Sequence, residues 1–187
     1  MAGTSRRLDM QGDMLAWERP WCDPFRDLIV HPRLKPYLEA ILEEGFRVDA
    51  GPSFMEADPG AQGHALHGGG VERHNFSEAY FFKAGHIYSG MVVVEVALAD
   101  EGPDDGGFAL IPASHKANLP CPRSLRLAEA YQEHIRKVPV KTGDAVIFTE
   151  TATHGALPWR ARHQRRVVLT RYSPGFIAYH RMKPVSY

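Results

Sequence analysis

The sequence lacks any long apolar run: nowhere do its 187 residues hold the roughly 18 consecutive apolar side chains of a membrane-spanning helix. It also lacks an excess of either charge. Lys plus Arg number 22 and Asp plus Glu number 22, which argues against nucleic acid, a membrane surface or any other partner held chiefly by electrostatics. Cysteine is scarce. Cys22 and Cys121 are far apart and form no C-x-x-C pair, so they read as free thiols of a reducing compartment and not as a disulfide framework. The opening residues, MAGTSRRLDMQGDM, contain no hydrophobic signal core, and a cytoplasmic location is the expectation. Repeats, low-complexity tracts and linkers are absent too. We therefore expect an N-terminal arm over residues 1–22 and a single domain over residues 23–187.

What the chain does have is histidine, ten in all, and histidine is the commonest metal ligand and proton carrier. The early part reads as helical. Asp23-Pro24 has the form of an N-cap followed by a first-turn proline. From about Pro32, Leu34, Tyr37, Leu38, Ile41 and Leu42 fall on one helical stripe that Gly45 stops. From Phe46 onward the pattern changes to short β-rich runs: 46–49, 53–55, 63–67, 79–82, 87–99, 108–111, 138–140, 145–148 and 166–172. Only Leu125–His134 interrupts them with a helical pattern. Many short strands after one or two helices predict a mostly β fold, a double-stranded β-helix or cupin-like jelly roll buttressed by a few α-helices.

Four segments concentrate His and Arg at strand ends and turns: 63–70 (GHALHGGG), 106–116 (GGFALIPASHK), 143–148 (GDAVIF) and 153–166, which opens Thr153-His154-Gly155 and closes Arg165-Arg166. Their order resembles the phytanoyl-CoA dioxygenase family from about Asp23 to Tyr172. That family shows an early His-x-Asp, a G-x-L-x-x-I-P-G-S-H-like turn, G-D-x-x-x-F, a distal His-Gly, and an Arg about eleven residues beyond the distal His. Here these positions fall at His67, the turn ending at His115, Gly143–Phe148, His154 and Arg165. The segments HGGG and THGALPW look like a bacterial-type branch of it. The resemblance implies iron held by His67 and His154, and 2-oxoglutarate anchored by Arg165, whose guanidinium offers a carboxylate two parallel hydrogen bonds. His115 is expected to orient its own turn or to contact substrate.

One position departs from the family. Where the Asp of His-x-Asp is expected, this chain has Gly69, which has no side chain to ligate iron. If strand β-geometry continued past His67, position 69 would share its face and point at the metal. Glu95 is the first candidate to supply the missing carboxylate. It sits in Met91–Leu98, a run apolar on both faces, where an ionised carboxylate must find a cation, a metal or a proton. Pairing with a core arginine such as Arg171, with no metal, is the competing reading for it. Glu150, four residues before His154, is a second candidate for the shell or its surroundings. His64, His74 and His86 are expected to be structural or solvated.

The function the resemblance implies is that of an Fe(II)- and 2-oxoglutarate-dependent oxygenase that hydroxylates a small organic molecule. Two alternatives stay open at this point. A halide could fill the position the Asp leaves and turn the chemistry to halogenation, or the chain could be a cupin-like binding protein with a remnant site. Metal content, and decarboxylation of 2-oxoglutarate without substrate, separate them.

Overall fold

The computed structural model describes residues 8–12, 14–69, 79–117 and 119–177; His74 lies outside them. The chain is mostly β and its strands pair antiparallel throughout, as in a jelly roll. A five-stranded sheet has the order β1-β2-β11-β6-β9, from Leu8–Gln11, Arg47–Ala57, Arg165–Ser173, Val92–Ala97 and Ala145–Thr149. A four-stranded sheet has the order β3-β10-β7-β8, from His64–His67, His154–Leu157, Gly107–Leu110 and Arg136–Lys137. The hairpin of β4 (Tyr80–Lys83) and β5 (His86–Ser89) pairs by itself.

Alternation along β6 and β11 explains why the large sheet is covered on both faces. Val92 and Val94 pack with Tyr172 against Leu34, Leu38 and Leu42 of the helical segment, where α1 (Asp23–Ile29) and α2 (Lys35–Leu42) lie. The residues between them face the other way: Val93, Val167 and Leu169 form a second cluster with Met55 and Phe148. Each such fully buried aliphatic side chain contributes about 1.5–3 kcal/mol. Glu95, Arg165 and Arg171 share this second face, because strand neighbours two apart point the same way. The fold thus sets helices on one side of the large sheet and a cavity on the other.

Several expected boundaries moved. Leu8–Gln11, assigned to an arm, pairs with β2 as β1, and Met14 and Cys22 are buried. The runs 46–49 and 53–55 merge into one long strand, Arg47–Ala57. The run 87–99 is two strands, broken at Gly90-Met91 where the chain leaves the hairpin. The helical pattern of Leu125–His134 yields only α3 (Arg123–Arg126) and a 3-10 turn at Gln132–His134, since Ala128 and Tyr131 adopt positive φ between them. The segment 138–140 contributes a lone bridge, Val140 to Glu101. None of the described helices is long and apolar enough to cross a membrane.

Candidate active site

Strands β3 and β10 meet with His67 opposite His154 and His64 opposite Ala156, so three steps on one strand match two on the other. This bulge cancels the alternation that would separate His64 from His67. Both rings line one cavity of about 270 Å³, together with His154, Glu95, Glu150, Arg165 and Arg171. His64, expected to be structural or solvated, is therefore a cavity residue. Its Nδ1 is buried without a hydrogen-bond partner among the described residues, and burial, with the neighbouring His67, lowers its pKa to about 4. His86 is exposed, as expected.

Within the cavity, one donor atom each from His67, Glu150 and His154 lies within 4.8 Å of the others. The rings of His67 and His154 are 4.4 Å apart between centroids. Each imidazole is set by a carbonyl two residues earlier: His154 Nδ1 lies 2.6 Å from the Ala152 oxygen and His67 Nδ1 lies 3.3 Å from the Ala65 oxygen. A ring that donates from Nδ1 carries its lone pair on Nε2, which is the form that binds a metal. Burial dominates at His154 and lowers its pKa to about 4, so the ring is neutral at pH 7. Phe148 packs 4.6 Å from the same ring and Phe108 lies 4.7 Å from Phe148, which closes that side with aromatic carbon. Two imidazoles and one carboxylate are a donor set that suits a divalent transition metal.

Gly68 makes this convergence possible. Its φ is +81°, and a Cβ there would lie 2.6 Å from the carbonyl oxygens of both Glu150 and Ala152. Only a residue without a side chain lets the end of β3 approach the Glu150–His154 turn so closely. The strand also ends at His67, so the expectation that position 69 shares its face does not hold. Gly69 has a φ of +97°, and a Cβ there would meet Thr153 Oγ1 at 3.2 Å.

Glu95 and Arg165 come together in the same cavity. Arg165 is 1% exposed; its Nη2 donates to Glu95 Oε1 at 2.7 Å, and its Nη1 lies 3.5 Å from Met55 Sδ. Its Nε stands 2.8 Å from Glu101 Oε1, an ion-pair distance without hydrogen-bond alignment. Glu101 is fixed in turn by the Phe108 N–H, 3.2 Å from its other oxygen. A side chain at Gly107 would collide with that oxygen. Glu95 thus pairs with a core arginine, and that arginine is Arg165, not the Arg171 named as an example. Burial is the largest influence on Glu95 and, against the pull of Arg165, raises its pKa to about 7.

His115 is not in this group. It stacks edge-on with Tyr80 at 4.5 Å and lines an open surface depression with Phe82 and Lys116. Its turn nevertheless serves the site, because Ser114 Oγ accepts the Thr153 N–H at 2.7 Å, one residue before His154. Sequence reading missed His64 and Glu101 as cavity or support residues, and named Arg171 only as a core partner for Glu95. The bulge that brings in His64 leaves no mark in the sequence. Arg171 was legible, since it shares strand parity with Arg165.

Comparison with known proteins bears on the fold and the family. HygX from Streptomyces hygroscopicus, solved with nickel, 2-oxoglutarate and hygromycin B bound, superposes with a TM-score of 0.79 at 24% identity, over 97% of this chain and 75% of that one. The non-heme alpha ketoglutarate dependent epimerase SnoN from nogalamycin biosynthesis gives 0.64 at 20% identity, over 92% and 65%. AviO1 from Streptomyces viridochromogenes Tue57 gives 0.60 at 18% identity, over 94% and 76%. At such identities the likeness is one of fold. No curated protein matches the sequence. The sequence profile of phytanoyl-CoA dioxygenase (PhyH) matches residues 10–167. With the fold, that match places the chain in the phytanoyl-CoA dioxygenase family, within the non-haem Fe(II)- and 2-oxoglutarate-dependent oxygenases.

Proposed function

We propose that the protein hydroxylates a small organic molecule in a reaction dependent on Fe(II) and 2-oxoglutarate, with His67, Glu150 and His154 as the iron ligands. The convergence of these three donors within 4.8 Å carries the reading. Two histidines and one carboxylate are the ligands of the non-haem Fe(II) oxygenases and leave positions for a keto acid and oxygen. Bound iron supplies the coupling of oxygen activation to oxidative decarboxylation of the keto acid.

The chain's own residues supply placement. The carbonyls of Ala65 and Ala152 hold the two rings in one tautomer, and Phe108 and Phe148 keep water from one side of His154. Arg165 receives the distal carboxylate of 2-oxoglutarate on its guanidinium. Arg171 lines the same cavity with no ion pair among the described residues, and its charge favours a dianionic cosubstrate. Glu150 is assigned to iron in preference to Glu95, whose oxygen is bound to Arg165. With Glu150 in the cluster, neither a halide nor a lost metal is needed to account for Gly69. The small-molecule substrate is supported by the hygromycin B in the HygX structure.

Anaerobic iron titration tests the assignment. Glu150→Gln should weaken iron binding at least ~10-fold, whereas Glu95→Gln should leave it unchanged. The loaded wild type should consume 2-oxoglutarate slowly in air without substrate. Equal iron affinity in wild type and Glu150→Gln would remove Glu150 from the site. A chain that takes up neither iron nor 2-oxoglutarate would restore the binding-protein reading.

A further inference from the structure

Two carboxylates share one buried guanidinium, and only one of them is needed to balance its charge. Glu101 does not line the cavity: its side chain is 1% exposed, one oxygen is near Arg165 Nε and the other accepts the Phe108 N–H. The Phe108 N–H thus fixes one carboxylate beside the guanidinium, outside the cavity. Glu95 does line the cavity, and its carboxylate takes Arg165 Nη2 at 2.7 Å. It is the surplus charge of the cluster, at a site where burying an extra ion is costly.

The proposed function needs that guanidinium for the distal carboxylate of the keto acid, and a third carboxylate cannot join the first two without strong repulsion. We infer that Glu95 is a built-in competitor for the cosubstrate. Its carboxylate occupies the Arg165 nitrogen that 2-oxoglutarate must take, so this residue sets how tightly the keto acid binds. The inference rests on the assignment of Arg165 as the keto-acid seat.

Release of Arg165 is easiest when Glu95 takes up a proton. Glu101 and the apolar surroundings favour that proton, and Arg165 opposes it. The other charged or titratable groups facing the cavity are Arg171 from β11, Glu150 at the end of β9, His64 and His67 from β3, and His154 from β10. The neutral carboxyl can then donate to the incoming carboxylate and turn from competitor to partner. With the pKa of Glu95 near 7 in the free protein, keto-acid affinity should be full below that pH and fall as pH rises through it. The carboxylates of 2-oxoglutarate itself ionise well below this window.

Calorimetric titration of 2-oxoglutarate into protein saturated with Mn(II), a stand-in that does not turn over, tests this between pH 6 and pH 9. Saturating metal keeps proton competition at its ligands out of the result. Wild type should lose about tenfold in affinity per pH unit above the Glu95 pKa, the slope of one linked proton. Glu95→Gln should show a flat profile and bind at least ~10-fold more tightly than wild type at pH 8.5. Proton uptake, read on wild type alone from two buffers of different ionisation enthalpy, should approach one per keto acid at pH 8.5. A wild type that binds with no proton uptake, or a Glu95→Gln that keeps the wild-type affinity and pH profile, would overturn the inference and leave the oxygenase reading intact. Failure of both proteins to bind 2-oxoglutarate at pH 6 with metal bound would overturn that reading as well.

Discussion

His67 and His154 stand directly opposite one another across the β3–β10 pairing, and each is aimed by a backbone carbonyl two residues before it. The pair is therefore built by strand register and not by loop conformation. Positions on rigid strands hold ligand geometry more closely than loops do.

This register separates the proposed ligands from their neighbours. His154→Ala should reduce iron affinity at least ~10-fold, since removing a ligand exceeds the effect of removing a supporting contact. His64→Ala should leave iron affinity unchanged although its ring is only 5.2 Å from that of His67. Parallel iron titrations monitored by metal content check both, and equal losses in the two variants would mean that His64 is itself a ligand.

Restoring the family aspartate should not help. Gly69→Asp puts a side chain at a φ of +97°, against Thr153 Oγ1. Left-handed backbone costs an L-residue about 1–2 kcal/mol, so thermal or urea denaturation should show a loss of that order. Iron affinity should stay level or fall. A clear gain in affinity would show that position 69 faces the metal after all.

Ala113 occupies the Gly position of the I-P-G-S-H-like turn, at a φ of +62°. Ala113→Gly relieves that strain at some cost in chain entropy, and a net gain of about 0.5–1 kcal/mol is expected. Urea denaturation midpoints at constant slope are the measure. No change would mean that the turn already accommodates alanine.

Composition and periodicity made the β-rich fold and the apolar face of α2 legible, because both depend on local alternation. They missed β10, His154–Leu157, whose sequence His-Gly-Ala-Leu has too few β-branched or aromatic residues to mark a strand. The same limit applied within the site. Strand parity required a cation, a metal or a proton for Glu95, and the cation is Arg165, fixed by the pairing of β11 with β6, which no single strand encodes. Parity failed at His64, where a bulge shifts the register, and at Gly69, where the strand has already ended. Both failures follow from long-range pairing that the linear pattern does not carry.

Ser114 does not line the cavity, yet its hydroxyl fixes the backbone immediately before His154. Drift in that outlying turn would register first as a misplaced imidazole and only secondarily as a weaker fold. The capacity to hold iron can therefore be erased in this protein by a change that leaves every donor atom in the sequence.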